Sequence, residues 1–345
     1  MKNLKFKNLM SFFSMTLIVL GIFSSCQEDS ASSASGPLAI TSVAKSVAGE
    51  LTPVVKGDPN NYYIIRGSGF LSTQKIYFND FDTYFNPTLL TDTEIFVLID
   101  EKTPYANSSN KLKLVTNSGT ILYDFIISPP VPKVDSYNSI NAAAGEEVTI
   151  YGNYFLNPVV SVGTVNVTLT SFTLTEIKFK MPANANDKYI SVTNISGTTI
   201  ASDAIGSALY DDILQGDAGH WTWGGTDVFD TNFATDKVQG LKSIKFVLGG
   251  WSGCDMKFAS RNVSKYKSFR VRVKSISTNA DASIKFVFGG WAYQIIRGFS
   301  TEWTTIEIPF SQIGNPTTFD QLTLQESGNF GGNTILFDNM GFVLK

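Results

Sequence analysis

Between residues 37 and 345, apolar and polar positions alternate in short runs, each closed by Gly, Asn, Asp, Ser or Pro. Period-two alternation puts successive side chains on opposite faces, so each run predicts a strand with one buried face. In the first third the runs are NYYIIRGSGF (61–70), KIYFND (75–80), EIFVLID (94–100) and KLKLVTNSG (111–119). The plan then returns as EEVTIYGNYF (146–155), VVSVGTVNV (159–167), EIKFKMP (176–182) and KYISVTNISG (188–197). A repeat of about 80–95 residues is too long for a solenoid unit and fits an immunoglobulin-like sandwich. Pro129, Pro130 and Pro132 divide the copies with stiff, extended backbone. Two sandwiches joined in this way predict a stalk.

Residues 210–345 carry a different set of short strands and no convincing helical pattern. Among them are SIKFVLGGW (243–251), SFRVRVKSI (268–276), SIKFVFGGW (283–291), WTTIEIPF (303–310), FDQLTLQES (319–327) and NTILFDNMGFVL (333–344). That pattern predicts a β-sandwich of jelly-roll type. The fold class is therefore all-β, with two immunoglobulin-like sandwiches (37–129 and 130–209) followed by a third sandwich (210–345).

One strand is written twice: IKFVLGGW at 244–251 and IKFVFGGW at 284–291. Alternation turns Ile244, Phe246 and Leu248, and likewise Ile284, Phe286 and Phe288, toward the interior. Gly-Gly then allows a bend, and each Trp is expected at a rim, with both indoles on one surface. All five tryptophans, Trp221, Trp223, Trp251, Trp291 and Trp303, lie in this last segment.

Flat rings with polar neighbours suit a sugar, whose C–H faces are apolar and whose perimeter is polar. The expected glycan contacts are Trp221, Trp223, Trp251 and Trp291, with Tyr293, which shares the parity of Trp291. Polar partners are expected at Gln294, Arg297, Glu326 and Asn329, with Asp217 and His220 nearby. Each ring has a plainer packing alternative. Trp303 opens a strand with buried alternation and is expected in the core.

Composition narrows the classes. Aromatic residues make up 13% of the chain and charged residues 17%, with a formal net charge of −3. No basic field is available for nucleic acid. A single histidine, His220, makes zinc chemistry improbable. The first 25 residues combine Lys2, Lys5 and Lys7 with an apolar run and end at Phe23-Ser24-Ser25-Cys26, the layout of a secretory signal. This ending resembles a bacterial lipobox, which implies lipid on the thiol of Cys26 and a flexible polar tether over 26–36. Plain secretion is the alternative. The QEDS that follows resembles the acidic export tag of Bacteroidota surface lipoproteins. Cys254, the only other cysteine, is expected as a small buried hydrophobe.

The two repeats resemble IPT/TIG domains, through Gly67-Ser68-Gly69-Phe70, Gly152-Asn153-Tyr154-Phe155 and the TNSG and TNISG turns. The whole chain resembles the surface glycan-binding lipoproteins of Bacteroidota polysaccharide-utilisation systems. Its last segment is similar to their xyloglucan-binding domain, with WTWGGT (221–226) and the Gly-Gly-Trp endings as carriers. The resemblance implies a non-catalytic protein at the cell surface, lipid-anchored in the outer membrane. It would capture a plant polysaccharide or oligosaccharide such as xyloglucan or another β-glucan, beside an outer-membrane glycan transporter. It implies no cofactor. The ending ILFDNMGFVLK resembles the final strand of β-sandwich carbohydrate-binding modules. There Asp338, with Asp211 and Asp212, offers oxygen ligands for a structural calcium, with turn and capping roles as the alternative.

Two other classes stay open. A glycoside hydrolase or lyase needs two carboxylates facing across a cleft. Glu302, Glu307, Glu326, Asp217 and Asp227 are available, but no motif pairs them. An adhesin or scaffold would use the same tryptophans as protein hot spots.

Overall fold

The computed structural model describes residues 36–47, 51–225, 228–276 and 283–345. Cys26, the signal segment and Asp227 lie outside the described residues. Among the described residues the architecture is all-β, with one short 3-10 turn at Phe310–Ile313. Two compact units divide at Ser128/Pro129.

The first unit is a sandwich of two four-stranded sheets. One runs Ala39–Lys45, Tyr62–Ser68, Glu94–Leu98, Phe85–Leu90. The other runs Phe81–Thr83, Thr73–Phe78, Lys111–Thr116, Gly119–Asp124. The second unit opens with the same order of strands: Lys133–Asn138, Glu147–Asn153, Glu176–Lys180, Leu169–Phe172 against Val165–Asn166, Val159–Val162, Tyr189–Asn194, Gly197–Ala204. The shared GxGF/GxYF signature has one physical cause. A Cβ on Gly67 would fall 1.8 Å from the Ala39 carbonyl oxygen, and one on Gly152 would fall 1.9 Å from that of Lys133. Only glycine admits the first strand so closely, and Phe70 and Phe155 fill the space beneath, fully buried.

The third sandwich belongs to the second unit. Its core begins at Leu209, while Ala208 still packs in the middle core. Between strands Gly197–Ala204 and Ala208–Asp211 there are only three residues. Around this point the middle and C-terminal sandwiches are bonded together. Arg270 pairs with the buried Asp203, which also accepts from Asn339 Nδ2 at 3.1 Å. Ala208 and Asn141 bond reciprocally at 3.0 and 3.1 Å. Gln239 accepts from the Tyr137 N–H at 3.3 Å and donates to its carbonyl. The Asp211 carboxyl accepts the N–H of Ile140. The prolines expected to divide the stalk are tied to the middle sandwich: Asn194 Nδ2 donates to the Pro130 carbonyl at 2.9 Å.

Asp338 and Asp212 are likewise taken up by backbone. Asp338 accepts from the N–H groups of Val238 (2.7 Å), Gln239 (2.9 Å) and Asn339 (2.6 Å). Asp212 accepts from Leu241 (2.6 Å) and Lys242 (2.7 Å). Among the described residues no group of three or more His, Cys, Asp and Glu side chains is gathered as metal ligands.

The third sandwich packs a seven-stranded sheet on a five-stranded one. The first is built around Asn333–Leu344. Tyr266–Ser275 and then Thr304–Pro309 lie on one side of it, and Ser243–Leu248 with Val228–Phe233 on the other. The second runs Asp217–Trp223, Gly253–Asn262, Thr318–Ser327, Ser283–Phe288, Tyr293–Gly298, all antiparallel. The duplicated strand thus appears once in each sheet. Ile244, Phe246 and Leu248 from one side, and Ile284, Phe286 and Phe288 from the other, fill a common core with Phe269, Phe319 and Phe342.

Candidate functional site: an aromatic shelf on the five-stranded sheet

The inner face of the five-stranded sheet is set by Cys254, Met256, Leu322, Leu324 and Phe286, all buried. Residues between them face outward. Register then places outward side chains in rows across the strands. One row is Trp221, Asp255, Thr323, Val287, Gln294; the next is Trp223, Gly253, Gln325, Lys285, Ile296. The parity shared by Trp221 and Trp223 therefore carries both indoles to the outer face of the edge strand. Trp221 is 52% exposed. Trp223 is half-buried, and its ring lies over Gly253, where a Cβ would meet Cζ2 at 2.3 Å.

Polar groups line the same face. Asp255 Oδ1 accepts from Gln321 Nε2 at 2.7 Å and from the Thr323 hydroxyl. The Lys257 ammonium stands 5.9 Å from the Trp221 ring centroid, within cation–π range. Lys285 Nζ donates to Gln325 Oε1 at 3.2 Å, and Gln325 Nε2 reaches the Trp251 carbonyl at 3.3 Å. Asp255 and Thr323 are themselves buried and form the floor of this face; above it, a flat ring flanked by amides and an ammonium group can cover an apolar C–H face and bond hydroxyls at its edge.

At one end of this sheet three loops meet. A Cβ on Gly224 would fall 2.8 Å from Ser252 Cα, and one on Gly250 would fall 2.2 Å from Asn329 Oδ1. The loops at 224–225, 249–252 and 328–332 thus pack together beside Trp223. Trp251, 49% exposed, and Phe330, 46% exposed, project from the last two.

The two Gly-Gly-Trp endings differ in structure and place. Residues 249–252 cross from one sheet to the other, and their glycines are needed for close approach to Gly224 and Asn329. Residues 289–292 close a hairpin, with Gly289 and Gly290 both at φ +60°. Lys285 pairs with Gln325 and Gln325 with Gly253, so Trp251 lies by the start of strand Ser283–Phe288 and Trp291 beyond its end. At ~3.4 Å per residue, the two endings stand roughly 20 Å apart along the sheet, at opposite ends of strand Ser283–Phe288 rather than side by side. Both rings sit on left-handed backbone, Trp251 at φ +58° and Trp291 at φ +76°. That conformation costs a bulky residue on the order of 1–2 kcal/mol relative to glycine.

Left-handed Trp291 breaks the alternation, so Tyr293 does not share its face. Tyr293 and Arg297 pair with the core residues Phe288 and Ile284 and turn to the inner side of the edge strand. Tyr293 there lines a cleft of about 210 Å³ with Ile313, Gly314 and Phe319; Arg297 reaches Gln312 at 3.5 Å. Gln294 faces outward with Ile296. Glu326, expected among the ligand contacts, is fully buried and, among the described residues, accepts only backbone N–H groups. Asn329 stays at the surface of its loop. His220 turns inward opposite Met256 and packs on Phe229 at a centroid distance of 5.0 Å. Trp303, expected in the core, is half-buried at the sheet margin and donates its indole N–H to Asp236 at 2.9 Å. Cys254 is buried, and burial pushes its thiol up to about 12. Sequence reasoning missed Phe330, Asp255, Lys257, Gln321, Thr323, Gln325 and Lys285. The strand residues among them were signalled by the alternation in CDMK, QLTLQ and IKFVF.

The IPT/TIG domain family matches residues 132–207. No curated protein matches the chain. Among solved structures, the chain is similar to the surface glycan-binding protein PbSGBP-B from Prevotella bryantii. Identity is 18%, the TM-score 0.49, and coverage 89% of this chain and 98% of that one. It is also similar to SGBP-B from a complex xyloglucan utilization locus in Bacteroides uniformis, at 17% identity and a TM-score of 0.39, covering 89% and 99%. A family 11 carbohydrate-binding module of a Clostridium thermocellum cellulosomal cellulase is similar at 14% identity and a TM-score of 0.30. That match covers 41% of this chain and 97% of the module.

Proposed function

We propose that this protein is a non-catalytic glycan-binding protein, which captures a plant polysaccharide of the β-glucan or xyloglucan class on the shelf of its third sandwich. The observation that carries this reading is the grouping of Trp221, Trp223 and Trp251 around one end of a sheet face that also presents Lys257, Lys285, Gln294, Gln325 and Ile296. Left-handed backbone under Trp251 supports it, because glycine there would avoid the strain. A ring kept at that cost and half open to water has a use outside the core.

The carboxyl groups that hydrolysis would need are dispersed. Glu307 lies in the opposite sheet, bonded to Ser268, and Glu326 is enclosed. In the same reading, lipid on Cys26 holds the protein at the outer membrane, where it hands glycan to a transporter.

Affinity electrophoresis of the full chain tests the proposal. Xyloglucan or mixed-linkage β-glucan in the gel should retard the wild type and have little effect on Trp221→Ala. Unchanged mobility of the wild type across a broad glycan panel would overturn it and favour a protein ligand.

A further inference from the structure

We infer that Phe330 is a further glycan-contacting ring, held beside Trp251 by the buried carboxyl group of Glu326, the positioning residue of this loop pair. The inference rests on the glycan-binding reading for its ligand, and on geometry alone for its assembly.

Glu326 ends the alternation of Leu322 and Leu324, so its side chain turns inward at the mouth of the sandwich. There its carboxyl group has three partners among the described residues, all backbone. Oε2 accepts the Trp251 N–H at 2.8 Å and that of Asn329 at 3.0 Å, and Oε1 accepts that of Phe330 at 3.1 Å. Its own N–H donates to the Ser252 carbonyl at 2.8 Å. One carboxyl group therefore fixes the amides under both exposed rings. Burying a carboxyl group is costly unless its oxygens are satisfied, and enclosed backbone donors are equally costly when left alone. Each side of this arrangement answers the need of the other.

The loops it joins are separate in sequence and fold as one piece. A Cβ on Gly331 would stand 3.3 Å from the Gly250 nitrogen, and Asn329 occupies the space over Gly250. The Phe330 ring lies over Gly328, where a Cβ would meet Cε2 at 2.4 Å. That is the seat Gly253 gives Trp223 on the neighbouring strand. In both places a ring rests on bare backbone and leaves surface open to water. Phe330 carries no polar group and is 46% exposed, so a sugar face is a fitting cover.

The test uses the full chain and three readouts: amide hydrogen exchange, melting temperature, and retardation by xyloglucan and by mixed-linkage β-glucan. Phe330→Ala should weaken retention about tenfold with little change in melting temperature. Glu326→Gln, with at most one accepting oxygen, should speed exchange at the amides of Trp251, Asn329 and Phe330 and weaken retention to a similar degree. Adding Phe330→Ala to Glu326→Gln should cost less than the two separate losses combined, because part of the Glu326→Gln loss acts through the same ring. Wild-type retention by Phe330→Ala would overturn the contact. Unchanged protection of the three amides in Glu326→Gln would overturn the positioning role. If neither glucan retards the wild type, the contact falls together with the glycan reading, while hydrogen exchange still decides the role of Glu326.

Discussion

The indole of Trp223 lies so near the Gly253 backbone that a single added carbon there would reach its Cζ2 at 2.3 Å. The same carbon would meet the Leu324 carbonyl at 2.6 Å. Gly253→Ala should therefore lift or turn the ring as well as strain two central strands. The expected outcome is a loss of about 1–3 kcal/mol in stability together with weakened glycan retention. Trp223→Ala should lose retention with a smaller shift in melting temperature, which separates the two effects.

Trp251 separates strain from binding. Glycine fits its left-handed backbone and alanine does not. Trp251→Gly should be more stable than Trp251→Ala by about 1 kcal/mol, and both should lose glycan retention equally. Trp291, at φ +76°, should repeat the stability ranking. Because it lies at the far end of the sheet, its loss should matter most for long chains. Melting curves and affinity gels on the four variants check this.

The Asp203–Arg270 pair is buried where the middle and C-terminal sandwiches join. Asp203→Ala would leave the guanidinium enclosed without its partner, a change that costs about 3–5 kcal/mol. Calorimetry of the full chain should then show the two sandwiches of the second unit melting apart, at temperatures closer together in the wild type.

Two buried acids predict a pH dependence. Burial pushes Asp338 up to about 7 and Asp211 up to about 6, against the opposing pull of their backbone donors. The folded state thus holds these protons more tightly than the unfolded chain, where a carboxyl group titrates near ~4. Their contribution is complete below that value and is lost as pH rises through the folded-state values. Thermal stability of the second unit should fall between about pH 4 and about pH 7. Asp338→Asn should be less stable throughout, with a shallower slope.

Much of the scaffold was legible in the chain. Alternation marked the strands, and the recurrence of GSGF as GNYF marked two sandwiches of equal topology. Parity also turned Trp221 and Trp223 to one face, and it turned Ile284, Phe286 and Phe288 inward. It failed past the second glycine pair, because left-handed backbone at 289–291 resets which side the next chain segment faces; Tyr293, expected on the face of Trp291, turned inward for that reason, while Gln294 faces outward as expected. The inward turn of Glu326 could be read from Leu322 and Leu324. Its partners could not, since Trp251 lies 75 residues away and the bonds go to backbone, which has no letter in a sequence. The identical endings at 249–251 and 289–291 show the same limit, one glycine pair serving close approach and the other a reversed turn.

The passage from Ala204 to Ala208 has a mechanical consequence. With three residues between strands, and an ion pair and an amide bridge on either side, there is no slack at that joint. A pull on the C-terminal sandwich is borne at once by the middle one, as a hammer head loads its shaft. Bending there requires hydrogen bonds to break, so the shelf keeps its heading relative to residues 132–207 under load.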